Sequence, residues 1–210
     1  MKAAELLTAP DSVVLQITKQ LRTAYELKKT IRYAGSRDLS IHGESVAEHV
    51  FALLFLAQYF LPLEDPKGTM DRSRIYEMLL YHDFGEILNG DMPYHYKNDA
   101  DKIREHEDAK AIFGSLPSPL NSRGRALWEE YEERKTLEAR FVHALDKIEP
   151  IFELFDPISE KSIKRTKLTY DLHLGKKLAT TEGFPVMRKF VNVLSVDMKN
   201  RDLFWEKETD

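Results

Sequence analysis

The chain contains no cysteine. Disulfides and thiolate metal ligands are therefore excluded, and a cytoplasmic setting is the expectation that fits. There is no basic excess either: 31 Lys and Arg against 35 Asp and Glu leave a net charge of −4. That balance carries no electrostatic footprint for a nucleic-acid polymer or an anionic membrane. Long apolar runs are also missing. The most apolar stretch, residues 50–63, contains Gln58 and reads as too short to span a bilayer. The N-terminus has one Lys and no extended apolar segment, so it does not read as a signal peptide. Internal repeats, low-complexity linkers and convincing alternating strands are not found.

What the chain does have is helical periodicity. Val13, Val14, Ile17, Leu21 and Ala24 recur at helical spacing, and a polar stretch follows from Tyr33 to Glu44. Ser45-x-x-Glu48 is a capping box that opens a helix to about Phe60. Leu61 to Met70, with two prolines and a glycine, reads as a loop. Further helices are expected over about Asp71–Leu88, Asp99–Gly114, Ser122–Tyr131, Thr136–Phe155 with Pro150 as a kink, Ser159–Thr180 and Pro185–Asn200. The expected fold is all-α: a compact single-domain helical bundle over residues 1–210, with 1–10 and about 203–210 as loose ends. Its 42% apolar and 31% charged residues are ordinary for a globular chain, and 210 residues suffice for one full core.

Two histidines and two aspartates stand out from this background. His82 and Asp83 are adjacent in Tyr81-His82-Asp83-Phe84-Gly85-Glu86. His49 closes Ser45-Val46-Ala47-Glu48-His49, and Asp146 follows Ala144-Leu145. Imidazole and carboxylate donors suit cobalt, manganese, zinc, iron or nickel, so the four could close around one divalent ion. Asp146 borders an apolar stripe of Phe141, Val142, Leu145 and Ile148, where a carboxylate is costly unless paired or metal-bound. Glu86 is four residues from His82 and three from Asp83, so helical phase turns it toward the same site. Taken singly, each has a plainer reading: a cap for His49, an Arg partner for Asp146, chance adjacency for His82-Asp83. His95, His106, His143 and His173 read as structural or surface residues, and Trp128 and Tyr131 as packing residues.

The order His, His-Asp, Asp resembles the HD-domain metal-dependent phosphohydrolases. Glu44–His49, the string from Tyr81 to Pro93, Leu127–Glu132 and Ala139–Glu149 are similar to the 5′-deoxynucleotidase branch, over about residues 12–156; the C-terminal helices of 157–200 are less distinctive. The resemblance implies that His49, His82, Asp83 and Asp146 hold one divalent metal. It implies Glu86 as the catalytic glutamate and Asp91 at the sugar end of the site. Lys97 and Arg37 are the implied phosphate contacts. Arg32-Tyr33 is the counterpart of an Arg-Trp pair that senses the missing 2′-hydroxyl, in a loop somewhat longer than the family's. The implied activity is removal of the 5′-phosphate from deoxynucleoside monophosphates, with a homodimer as the implied assembly. Other readings are an HD-type hydrolase of guanosine tetraphosphate, a cyclic nucleotide or a nucleoside triphosphate, and a nucleotide-binding protein without turnover.

Overall fold

Helix Leu137–Glu153 has ten buried residues and forms the axis of the molecule. In a computed structural model that describes residues 3–33, 43–92, 96–154 and 161–206, five other helices pack against it. The elements are α1 (Ala3–Leu7), α2 (Asp11–Leu21), a 3-10 segment (Arg22–Lys28), α3 (Val46–Glu64), α4 (Arg72–Tyr81), α5 (Glu86–Asn89), α6 (Asp99–Ser115), α7 (Leu120–Glu133), α8 (Leu137–Glu153), α9 (Lys161–Arg165), α10 (Tyr170–Thr180) and α11 (Pro185–Asn200). Among the described residues there is no strand, only one isolated bridge between Ile31 and Ser45. The all-α expectation holds.

Helices α3, α4, α7, α10 and α11 surround α8. Phe60, Ile75, Met78, Leu79, Phe141, Leu145, Ile148 and Met187 are fully enclosed between them. The polar loop before α3 is pinned at its base. Arg32 N–H donates to Glu44 O at 2.8 Å and Val46 N–H to Thr30 O at 2.8 Å. This clamp carries Arg32 and Tyr33 to the head of α3.

Several expected boundaries move, each for a local reason. The helix after Ser45 runs on through Pro62 to Glu64, because Asp65 N–H still reaches Leu61 O at 2.9 Å. The expected helix 71–88 is two helices, broken over His82–Gly85. There Glu86 N–H turns to Asp83 O and Phe84 N–H to Tyr81 O in tighter, three-residue turns. The expected helix 159–180 is also broken. Lys167 is left-handed (φ 53°) and Leu168 N–H reaches back to Ile163 O, a C-terminal closure after which Thr169 caps α10. The C-terminus is not loose through residue 206. Leu203 and Phe204 are buried, and Trp205 N–H donates to Leu168 O at 3.0 Å. Apolar residues late in a chain are simply used as core when a groove accepts them.

Candidate metal centre

The capping box forms as read from the sequence. Ser45 Oγ accepts from Glu48 N–H at 3.3 Å, and Glu48 Oε2 accepts from Ser45 N–H at 2.7 Å. It starts α3 one turn before His49 and sends that side chain inward, where it is fully buried. His82 caps the C-terminus of α4, Asp83 stands in the turn after it, and Asp146 lies midway along α8. Three separate stretches of chain thus converge. Asp83 Oδ2 lies 3.2 Å from His82 Nε2 and 3.7 Å from His49 Nε2. Asp146 Oδ1 lies 3.3 Å from His49 Nε2, outside hydrogen-bond geometry.

His49, His82 and Asp83 bring their ligand atoms close enough together to share a divalent cation, and Asp146 joins them through its approach to His49. Both Nε2 atoms are buried without a hydrogen-bond partner among the described residues. An orphaned buried nitrogen is costly, and two facing the same carboxylates need a common electrophile. Ligand atoms held about 2.1 Å from one ion lie roughly 3.0–3.4 Å apart. The observed 3.2, 3.3 and 3.7 Å fall on or just above that range. The other ring nitrogens are fixed as ligand histidines require. His82 Nδ1 is 2.9 Å from Leu79 O, and His49 Nδ1 is 2.8 Å from Glu149 Oε2. With each Nδ1 held in this way, each Nε2 faces the cluster, where a bound ion would take its lone pair.

A second layer of charge supports His49. Arg32 Nη1 donates to Glu149 Oε2 at 2.9 Å and to Glu44 Oε2 at 3.2 Å, and it also crowds against His49 Nδ1. The guanidinium has no acceptor, so Glu149 Oε2 is best read as the shared acceptor of both donors. Burial and Arg32 lower the His49 pKa, but Glu149 and Asp146 outweigh them and leave it raised to about 10. Burial alone would raise Glu149, yet His49 and Arg32 hold it down at about 2. Asp83 and Asp146 lie below the usual carboxylate range. Burial opposes this, but His82 lowers Asp83, while Lys147 and His49 lower Asp146. The site is a strongly negative surround built to hold positive charge.

Beside the cluster opens a cavity of about 470 Å³, large enough for a nucleotide-sized ligand. Arg32, Tyr33, His82, Asp83 and Glu86 line it, as do Asp91, Lys97 and Asp146. Glu86 is 5% exposed, and its Oε2 has no hydrogen-bond partner among the described residues. Burial, Asp83 and Asp91 together raise its pKa well above the ordinary value, against the pull of Lys97. Its carboxyl therefore keeps its proton more readily than an ordinary glutamate does. Lys97 Nζ lies 2.9 Å from Glu105 Oε2 and 3.5 Å from Glu86 Oε1. Asp91 Oδ2 accepts Tyr33 N–H at 2.8 Å, which ties the turn after α5 to the Arg32 loop and holds Tyr33 at φ 52°.

All the site residues named from sequence meet here except Arg37, which lies outside the described residues. Arg32 arrives with its guanidinium engaged by Glu149, Glu44 and, through Nη2 at 3.0 Å, Tyr33 Oη. Glu149 and Glu44 received no role from the sequence. Glu149 could have been found, since it lies three residues after Asp146 on the same helical face. Glu44 could not, because its partner Arg32 meets it only across the closed loop. Tyr131 packs as expected, yet its hydroxyl also donates to Asp146 Oδ2 at 2.8 Å. His143 and His173 are buried and line the cavity.

Comparison with known proteins agrees with this geometry. A sequence model of the HD domain matches residues 24–187. The chain is 33% identical over 137 residues to the 5′-deoxynucleotidase HDDC2 of Homo sapiens, covering 63% of this chain and 64% of that protein. It is 29% identical over 168 residues to the 5′-deoxynucleotidase hdd1 of Schizosaccharomyces pombe, covering 77% and 78%. The match to the human relative thus spans just under two-thirds of its length. A crystal structure from Magnetospirillum magnetotacticum MS-1, described as a predicted metal-dependent phosphohydrolase, superposes with a TM-score of 0.75 at 28% identity, over 92% of this chain and 98% of that one.

Proposed function

The chain belongs to the HD-domain family, and from that premise we propose that it is a divalent-metal-dependent phosphohydrolase of deoxynucleoside 5′-monophosphates. One observation carries the reading. Two buried imidazole Nε2 atoms without partners among the described residues face the carboxylates of Asp83 and Asp146. The relatives named 5′-deoxynucleotidases supply the substrate class.

His49, His82, Asp83 and Asp146 would hold the ion, whether cobalt, manganese, zinc, iron or nickel. When bound, such an ion supplies Lewis acidity toward a phosphoryl oxygen and lowers the pKa of water. The remaining work falls to side chains of the cavity. Glu86 holds a proton on its carboxyl and delivers it to the departing 5′-oxygen, which would otherwise leave as an alkoxide. Lys97 fixes that carboxyl through Oε1 and adds positive charge to the wall. Arg32 and Glu149 orient His49. Tyr33, held by Asp91, presents its ring at the sugar end and disfavours a 2′-hydroxyl by crowding and desolvation. The macromolecular partner we assign is a second copy of the chain, seated on Phe51, Phe55 and Tyr59, which stand exposed four residues apart along α3.

A matrix of metals and substrates on metal-stripped protein tests the reading. Inorganic phosphate should appear from deoxynucleoside 5′-monophosphates once the ion is restored. Pyrophosphate or tripolyphosphate from other nucleotides, or an uncyclised monophosphate from a cyclic one, would move the chain to a different HD activity. Bound nucleotide with no phosphate under any metal would make it a binding protein. Glu86→Gln should keep its metal and lose about two to four orders of magnitude in kcat; near-normal turnover would remove Glu86 from the chemistry.

A further inference from the structure

The lining of the cavity is divided by charge along the chain. Up to Asp146 it contains six carboxylates: Asp83, Glu86, Asp91, Glu105, Glu132 and Asp146. Beyond Asp146, the part supplied by α8, α9 and α10 contains Lys147, Lys176 and Lys177 and, among the described residues, no carboxylate. Several cations of the first half are already engaged. Arg32 is paired with Glu44 and Glu149, Lys97 with Glu105, and Lys102 with Asp99.

Lys177 stands apart from these. Its residue is 7% exposed, yet it has no carboxylate within ion-pair distance among the described residues. Its one described hydrogen bond goes to the backbone carbonyl of Lys147. An ammonium buried with a single neutral acceptor bears most of its desolvation cost uncompensated, and burial, with Lys147 adding to it, lowers the Lys177 pKa to about 7. Two of its three N–H donors have no partner among the described residues. Lys147 sits where this wall meets the metal cluster, its Nζ 2.7 Å from Asp146 Oδ2. An anion at that junction would reach Lys147 while remaining beside the cluster, and it would supply the countercharge that Lys177 lacks.

We propose that Lys177 and Lys147 form a phosphoryl-binding subsite on the α8–α10 wall, holding substrate oxygens turned away from the metal. The proposal rests on the phosphohydrolase reading for its substrate but not for its test. It also moves the phosphate contact from Arg37 and from Lys97, which is already paired with Glu105, to two lysines of the opposite half of the lining.

Titration of metal-loaded protein with inorganic phosphate, followed by calorimetry or ³¹P NMR, reads the subsite without turnover. Lys177→Met should weaken phosphate by about 10- to 100-fold, the usual reach of charge-assisted hydrogen bonds. Metal content and deoxynucleoside binding should stay within about twofold, KM for the monophosphate should rise more than kcat falls, and Lys177→Arg should recover part of the loss. Lys147→Met, at a more exposed side chain, should move phosphate binding in the same direction and serves if Lys177→Met does not fold. The proposal is overturned if wild-type protein does not bind phosphate. It is equally overturned if neither variant weakens phosphate, or if phosphate and deoxynucleoside weaken by the same factor. If phosphate binding falls as expected but no nucleotide is hydrolysed by the wild type, the subsite stands and the functional reading fails.

Discussion

At the scale of single residues, Glu149 decides what the His49 ring can offer the cluster. Its Oε2 accepts His49 Nδ1–H and Arg32 Nη1–H at 2.8 and 2.9 Å, which fixes the tautomer and the ring plane together. Glu149→Gln keeps the shape but removes the charge that both donors answer. Partners of this kind typically contribute 10- to 100-fold in metal affinity, so a loss of about that size is expected. Competition with a chromophoric chelator measures it, and an unchanged metal affinity would reduce Glu149 to packing. That His49, His82, Asp83 and Asp146 would come together was legible in the sequence because they sit in distinctive local strings. The Arg32–Glu44–Glu149 layer was not. Its members lie 12 and 117 residues apart, and only the folded loop brings them together.

At the scale of elements, most helices were legible from caps and periodicity, while the breaks within them were not. The turn over His82–Gly85 interrupts an apolar pattern that reads as continuous, and it runs close against another helix. A methyl group at Gly85 would stand 3.0 Å from both Glu105 Cγ and Glu105 O of α6. Only glycine lets the turn approach that backbone. Gly85→Ala should push α6 outward, costing about 1–3 kcal/mol in stability. It should also lower activity more than metal content, since Glu105 anchors Lys97 beside Glu86. Thermal melts and metal analysis check this; an unaltered melt would mean that α6 yields freely.

The contact between α10 and α11 gives a second prediction at this scale. His173 is buried, its Nε2 3.0 Å from Ser195 Oγ and its ring 4.9 Å from Phe204. Burial, with Lys177 adding to it, depresses its pKa to about 2. The unfolded chain therefore binds a proton that the folded chain refuses between about pH 6.5 and 2. Stability from this group is complete above pH 6.5 and falls by about 1.4 kcal/mol per pH unit below it. Urea unfolding at pH 6 and pH 4.5 should show a shallower acid slope in His173→Gln than in the wild type. Parallel slopes would mean that His173 is protonated in the native state.

At the scale of the whole molecule, α3 carries apolar residues on two faces, and the sequence did not say which one the core would take. The core takes Val46, Val50, Leu53, Ala57 and Phe60. Phe51, Phe55, Tyr59 and Leu63 remain, exposed by 72, 70, 55 and 46% and spaced four apart along one ridge. The same double apolarity makes Val46–Glu64 long and apolar enough to cross a membrane by composition. However, its inward face carries His49 and a packed core. Large side chains at these exposures leave on the order of 450 Å² of apolar surface per copy. Two α3 ridges crossing about a twofold axis would hide roughly 900 Å² from these residues alone, more than half of a standard interface. A stripe of i, i+4 spacing is also self-complementary, because ridge packs into groove in both directions. Phe55→Arg places a charge at the centre of that contact without touching the core. Sedimentation should give a dimer for the wild type at micromolar concentration and a monomer for the variant, with the same helical content and melting behaviour at low concentration. A wild type that sediments as a monomer, or a variant that stays dimeric, would show that a second copy is not what covers α3.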